Sequence, residues 1–384
     1  MKKGILFAAL CGVFLLSMAS LNAFDWGLVV DSRSDIDLME DEDAEYTPRF
    51  KSSLWLNHFW ADNAETRYSF AGNFFYLYNE EEYHIFDTDL LRLGIKKGGL
   101  FGGSTVLDAS LGRFRFSDPT GIALDHLADG ARARFDIGSA AITAAAGYTG
   151  LLTKPEASVN MTVSDIMDDD DDDVYFAPKR LFEQVRLEIP GVPEGHTLSM
   201  EMLLQQDLRN DDDEQERDSM HFSTALEGGL VQGLMYNLSG VYAWDQTNDT
   251  GGYYGSGELY LFMESFYGSR ISAGVLGGSE DFFTVSSPTL GLVFSPAPAN
   301  LMRVSADYSI RPWAERFDPV LRNLQFTAGG RAFYYDGEYT GMEAEGGIRF
   351  KPASDIGASL KGGMYLPDDG PNQGLIRLDV SVGL

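Results

Sequence analysis

The side chains best equipped for chemistry lie between Leu90 and Phe135, where cations recur at alternate positions. Arg92 and Lys96 oppose Leu91, Leu93 and Ile95 in a first run. In a second, Arg113 and Arg115 share a face with Leu111, while Gly112, Phe114 and Phe116 take the other. In a third, Arg132 and Arg134 oppose Ala131, Ala133 and Phe135. Alternate residues of an extended chain share a face. If Phe and Leu turn outward, three consecutive strands therefore bring six cations to one inner strip. Asp118 and Asp125 flank Pro119-Thr120-Gly121 in the connection between two of these runs. Glu343 and Glu345 share a face in a distant run, with Glu188, Glu201, Glu227 and Asp307 available on others. Opposed basic and acidic walls sort ions and orient dipolar solutes in transit. That is the chemistry of a passage.

Bond-breaking chemistry has no comparable support. None of the five histidines falls in an HExxH pattern, and no Gly-x-Ser-x-Gly elbow occurs. His221 and Ser223 share a polar face, a pairing that an alternating strand produces readily by chance. A single cysteine, Cys11, excludes a disulfide framework and any Cys-built zinc or iron–sulfur site. Acids outnumber bases 58 to 29, for a net charge of −29, which argues against a nucleic-acid partner. The expectation is a non-enzyme without a cofactor.

The elements that must hold the cations are strands. Met302, Val304, Ala306, Tyr308 and Ile310 alternate with Arg303, Ser305, Asp307, Ser309 and Arg311. The same period of two runs through Leu198–Leu204, Met220–Glu227, Ile356–Tyr365 and Ile376–Leu384. Such runs are longer than the five or six residues usual in soluble sheets. They suit the roughly 9–11 residues of a tilted transmembrane strand. Lys and Arg sit opposite Leu, Ile, Val and Met, as a lipid-facing surface requires. Trp60, Trp244, Phe294, Trp313 and Phe350 fall near strand ends, where interfacial girdles belong.

Residues 1–23 have the layout of a secretory signal peptide: Lys2 and Lys3, an apolar run from Ile5 to Leu16, then small residues to Ala23. Residues 24–384 are expected to form a closed antiparallel transmembrane β-barrel of the outer membrane with acidic extracellular loops. Short turns are placed at Ala61–Glu65, Gly98–Gly102, Gly191–Gly195, Gly229–Gly233 and Pro296–Asn300. The acidic stretches Asp35–Glu45, Glu80–Glu82, Asp165–Asp173 and Asp211–Asp218 then fall in connections at the opposite end. A bacterial barrel needs an even number of strands. The segments come to one more than an even number, with the irregularity in Trp313–Phe350. Setting aside Asn323–Tyr334 leaves about 18 strands, with 16 and 20 as neighbouring solutions.

The segment Leu111-Gly112-Arg113 through Asp129-Gly130-Ala131-Arg132 resembles a pattern in the alginate-export and related porin families. There a Gly-Arg begins a lumenal strand, and an Asp-Gly-Ala followed by a basic residue begins the next. The C-terminal strand resembles the insertion signal of outer-membrane barrels, with Leu384 in place of the usual Phe. The resemblance implies a monomeric, substrate-diffusing barrel in which Arg113 and Arg132 are lumenal. Its partners would be outer-membrane lipids and small hydrophilic solutes. Asp168–Asp173 and Asp211–Glu214 would hold divalent cations weakly. The alternative is a surface adhesin or scaffold working through its acidic loops, on the strength of the long connection between Tyr148 and Arg180.

Overall fold

The computed structural model describes residues 24–384 except 41–42, 80–83, 101–102, 155–156, 158, 160–174, 209–217 and 317. Residues 1–23, expected to be a signal peptide, and the acidic runs Glu80–Glu82, Asp168–Asp173 and Asp211–Glu214 therefore lie outside the described residues. The wall is built from β1 (Asp25–Met39), β2 (Glu45–Ala61), β3 (Thr66–Asn79), β4 (Ile85–Leu100), β5 (Thr105–Ser117) and β6 (Asp125–Asp136). It continues through β7 (Ala141–Tyr148), β8 (Arg180–Pro190), β9 (His196–Asp207), β10 (Ser219–Val231), β11 (Leu234–Asp245) and β12 (Thr250–Met263). It ends with β13 (Ser269–Gly278), β14 (Leu301–Ile310), β15 (Gln325–Tyr335), β16 (Glu338–Ala353), β17 (Ile356–Pro367) and β18 (Gln373–Gly383). A short helix, α1 (Pro319–Arg322), lies between β14 and β15. Each strand pairs antiparallel with the next, and β1 pairs with β18 from Val29↔Gly383 to Met39↔Gln373. The 18-stranded sheet is closed.

Closure lets a barrel present oil outward, because no strand edge leaves backbone groups unpaired. The outer face does so. Val304, Leu360, Met364, Ile376, Leu378 and Phe222 are all exposed. Their alternating partners Ser305, Ser359, Arg377, Asp379 and Ser223 share the other face through direct cross-strand register. No helix among the described residues is long and apolar enough to cross a membrane.

Two expectations of strand order are corrected. Gln325–Tyr335 is a wall strand, β15, paired along its length with β14 and β16. The surplus segment is instead 279–300, which joins β13 to β14 and forms no strand. Pro296–Asn300 accordingly sits at the end where the long connections lie, not among the short turns. The reason is anchoring. A stretch that lacks ladder partners is held by side chains of the inner wall, as described below. The stretch Asp35–Glu45 is also less loop than expected, since Asp35 and Asp37 lie within β1 and Asp35 pairs with Arg377 at 2.8 Å.

The interior is not an empty polar tube. Segment 279–300 and the tip of the β5–β6 hairpin turn inward and meet, the Val285 N–H donating to the Ala123 carbonyl at 2.8 Å. The Asp125 N–H donates to Ser286 Oγ at 2.8 Å. Two apolar clusters seal them to the wall. Phe114, Phe116, Leu124 and Val285 pack on Ala145, Phe182 and Leu203. Ala123, Phe282 and Leu290 pack on Val241, Ala243, Tyr254, Phe333 and Tyr365. Since β6 and β14 stand nearly opposite in the ring, the two segments bridge the lumen.

Candidate functional site: a bridged, charge-lined lumen

The inward turn of the hairpin starts at two glycines. Gly112 and Gly130 are direct cross-strand partners. Gly112 has φ +123°, and a Cβ there would collide with the Leu91 carbonyl oxygen. No other residue fits that backbone. Above this kink the hairpin leaves the wall and lies over the inner face of β7–β9. Phe114 and Phe116 are thus buried inside the barrel, against Phe182 and Leu203, rather than facing lipid. Arg186 reaches the Ser117 carbonyl from the wall below. Leu111, before the kink, remains exposed on the outside.

Arg113 rivets the other side of the hairpin. It is 6% exposed and donates to Asp87 at 2.6 Å, Asp129 at 2.8 Å, and the carbonyls of Thr88 and Leu151. Its guanidinium is consumed by this network and does not line the passage as expected. The Gly-Arg and Asp-Gly-Ala motifs likewise do not begin strands. They face each other in mid-hairpin, Arg113 opposite Asp129, and build the bend.

The remaining cations of the strip come together. Arg115, Arg132, Arg134 and Arg186 line a recess of about 200 Å³ with Asp108, Thr143, Gln184 and Glu201. Arg115 pairs with Asp125 through Nη2 at 2.7 Å, Arg134 with Glu188, and Arg186 with Glu201 at 2.8 Å. Lys96 stands opposite Asp108, and Arg92 opposite Gly112, on the same inner face. Glu188 and Glu201 therefore belong to the basic wall rather than facing it.

Two expected lumenal acids have other duties. Asp118 is buried and accepts from the backbone N–H groups of Thr120 and Leu124, at 2.9 and 3.1 Å, shaping the hairpin tip. Glu343 is fully buried and accepts from the N–H groups of Leu292, Val293 and Phe294, at 2.8, 3.0 and 2.8 Å. It also pairs with Arg331 at 3.1 Å, and Arg331 in turn binds Glu345 at 3.0 Å. Glu343 thus holds segment 279–300 in place, whereas Glu345 lines a lumenal recess with Glu258, Asp307 and Asp379. Phe294, expected in an outer girdle, lies inside, stacked on Tyr365 at 4.2 Å and 7°.

A second basic surface, missed in the sequence, lies across β16–β18, β1 and β2. Cross-strand register sets Arg349, Ser359, Asp379, Arg33 and Arg49 in one row, with Lys361, Arg377 and Asp35 in the next. Arg33 stands directly opposite Arg49, and Lys361 opposite Arg377. Asp379 and Asp35 answer Arg33 and Arg377, at 2.9 and 2.8 Å. Arg349, Ser359 and Asp379 border both of two larger recesses, of about 660 and 650 Å³. Alternation was legible in each of these runs, but adjacency required the closure of β18 on β1.

No family model matches the sequence, and no curated protein matches it. Solved structures do. OccK2 (OpdF) of Pseudomonas aeruginosa superposes with a TM-score of 0.69 at 10% identity, over 94% of this chain and 98% of that one. The same protein in complex with glucuronate gives 0.66 at 10% identity, over 94% and 96%. The P. aeruginosa outer-membrane protein OpdK gives 0.61 at 11% identity, over 94% and 99%. The chain has the fold of these barrels. Nearly the whole path of both chains is shared while most side chains differ.

Proposed function

We propose that the protein is an outer-membrane porin that lets small hydrophilic solutes diffuse across a charge-lined lumen, with a preference for solutes bearing a carboxylate. The observation that carries this reading is the row of Arg349, Arg33 and Arg49 on the inner wall, with Lys361 and Arg377 beside it and Arg33 directly opposite Arg49. Like charges placed directly opposite in a sheet destabilise it. Such an arrangement in a wet lumen attracts anions and raises their local concentration. Guanidinium groups recognise carboxylates through paired N–H donors. The glucuronate bound by OccK2, a protein of the same fold, supports a carboxylate as the solute group.

The apolar outer face supports a place in a lipid bilayer, and the fold of OpdK supports the outer membrane. A porin is preferred to an adhesin because the two best-anchored connections, 118–124 and 279–300, turn into the lumen and narrow it. Purified protein in planar bilayers should show discrete conductance steps with anion selectivity. Arg349→Gln combined with Lys361→Gln should lower that selectivity and slow glucuronate passage in vesicle swelling. Folded protein that never conducts would overturn the reading.

A further inference from the structure

The recess beneath the hairpin tip has a charge arrangement that the passage of solutes does not explain. Its cross-strand rows define it. One runs Lys96, Asp108, Arg134, Thr143, Arg186 and Glu201 across β4 to β9. Its acids lie directly opposite cations: Asp108 opposite Lys96 and Arg134, Glu201 opposite Arg186. The adjoining row runs Gly94, Ser110, Arg132 and Ala145. Arg132 therefore projects from between two small residues, which hollows the wall around it. Its guanidinium lies over the Phe114 ring at 5.2 Å, and among the described residues no carboxylate lies within ion-pair distance of it.

Arg115 faces this hollow from the hairpin, and Arg134 and Arg186 line it from the wall. Three of the four guanidinium groups have carboxylate partners, and among the described residues the fourth has none. A second observation points the same way. Ser110 Oγ, on the direct cross-strand partner of Arg132, is buried without a hydrogen-bond partner. A half-buried cation among like charges, next to an unsatisfied hydroxyl, is costly unless an anion joins it. At about 200 Å³ the recess falls below the 300–1,000 Å³ of ordinary small-molecule sites.

We infer that this recess binds a small, proton-bearing oxyanion, of which inorganic phosphate is the type, held by Arg132 and Arg115 and by the Asp108 carboxylate. The carboxylate supplies the discrimination. Asp108 lines the same recess and, ionised, only accepts hydrogen bonds. Hydrogen phosphate has an O–H to donate to it, whereas sulfate at neutral pH has none and meets only repulsion. Because Arg115 and Ser117 belong to the hairpin while Arg132, Arg134 and Arg186 belong to the wall, occupancy ties the hairpin tip to the wall. The site is a clamp on the constriction rather than a step in the solute path, and it needs only the folded barrel.

Calorimetric titration of the full detergent-folded protein with inorganic phosphate in chloride buffer tests this. Phosphate should bind to one site, and sulfate at least about tenfold more weakly. Arg132→Gln should weaken phosphate about tenfold or more, in keeping with the loss of hydrogen bonds to a charged group. Asp108→Asn, which keeps the shape and supplies a donor, should bring sulfate up to the affinity of phosphate. This arm holds even if the Arg132 variant fails to fold. Absence of phosphate binding, equal binding of sulfate by the unaltered protein, or full affinity in Arg132→Gln would each overturn the inference. Conductance measured in the same preparation judges the porin reading separately, since neither outcome requires the other.

Discussion

Glu343→Ala should release segment 279–300 from the lumen. The carboxylate is fully buried and accepts four hydrogen bonds, three from consecutive backbone N–H groups at 2.8–3.0 Å and one from Arg331 at 3.1 Å. Each hydrogen bond to a charged group contributes about 1.5–3 kcal/mol net. The four do not add, because the freed N–H groups recover water once the segment swings out. The loss of one partner from a buried charged cluster costs about 3–5 kcal/mol, and that is the appropriate scale here. At 1.4 kcal/mol per decade, the ratio of released to docked segment rises by two orders of magnitude or more. Phe294 against Tyr365 and the Leu290 carbonyl against Arg303 oppose the release but do not replace the carboxylate.

The wall does not depend on this anchor, since its ladders close through β1 and β18. Heat-modifiable gel migration should therefore stay as in the unaltered protein, while single-channel conductance in planar bilayers rises and becomes noisier. Glu343→Gln retains one acceptor oxygen and should fall between the two. A folded Glu343→Ala barrel with unchanged conductance would refute the idea that this carboxylate holds a constricting segment.

Other consequences can be measured in the same preparations. Gly112→Val forces a side chain onto the Leu91 carbonyl at φ +123°, so folded yield should fall sharply. Leu111→Ala, one residue away on the exposed outer face, should be far milder and controls for the general sensitivity of β5. Leu360→Arg puts a cation on the lipid face and should destabilise the barrel by about 2–4 kcal/mol in urea refolding into lipid vesicles, while Ser359→Arg, one residue along on the wet face, costs much less. Anion selectivity should weaken between 0.1 and 1 M salt, as the screening length shrinks from about 10 to about 3 Å. Phe294→Ala, which empties the stack on Tyr365 and Phe333, should raise conductance less than Glu343→Ala does.

Alternation in runs such as Met302–Ile310 and Ile376–Leu384, together with their length and the parity of the connections, pointed to a closed barrel of about 18 strands, although the segment set aside to reach that number, Asn323–Tyr334, belongs to the wall. The same rule brought Arg92, Lys96, Arg132 and Arg134 to one inner strip, since these residues lie in unbroken runs of regular strand. It failed where the chain leaves the wall. Past Gly112 the pleat no longer tells outside from inside, so Phe114 and Phe116 turned out to be lumenal and Arg113 buried. Within segment 279–300 the sequence marked only a short turn at Pro296–Asn300, and the tertiary structure alone showed Glu343 gathering the N–H groups of Leu292, Val293 and Phe294. The row of Arg349, Arg33 and Arg49 was equally hidden, because it joins residues more than 300 positions apart. Local pattern decides which way a strand faces. Which strands become neighbours, and which connections fold inward, is decided by closure and by partners that no local stretch contains.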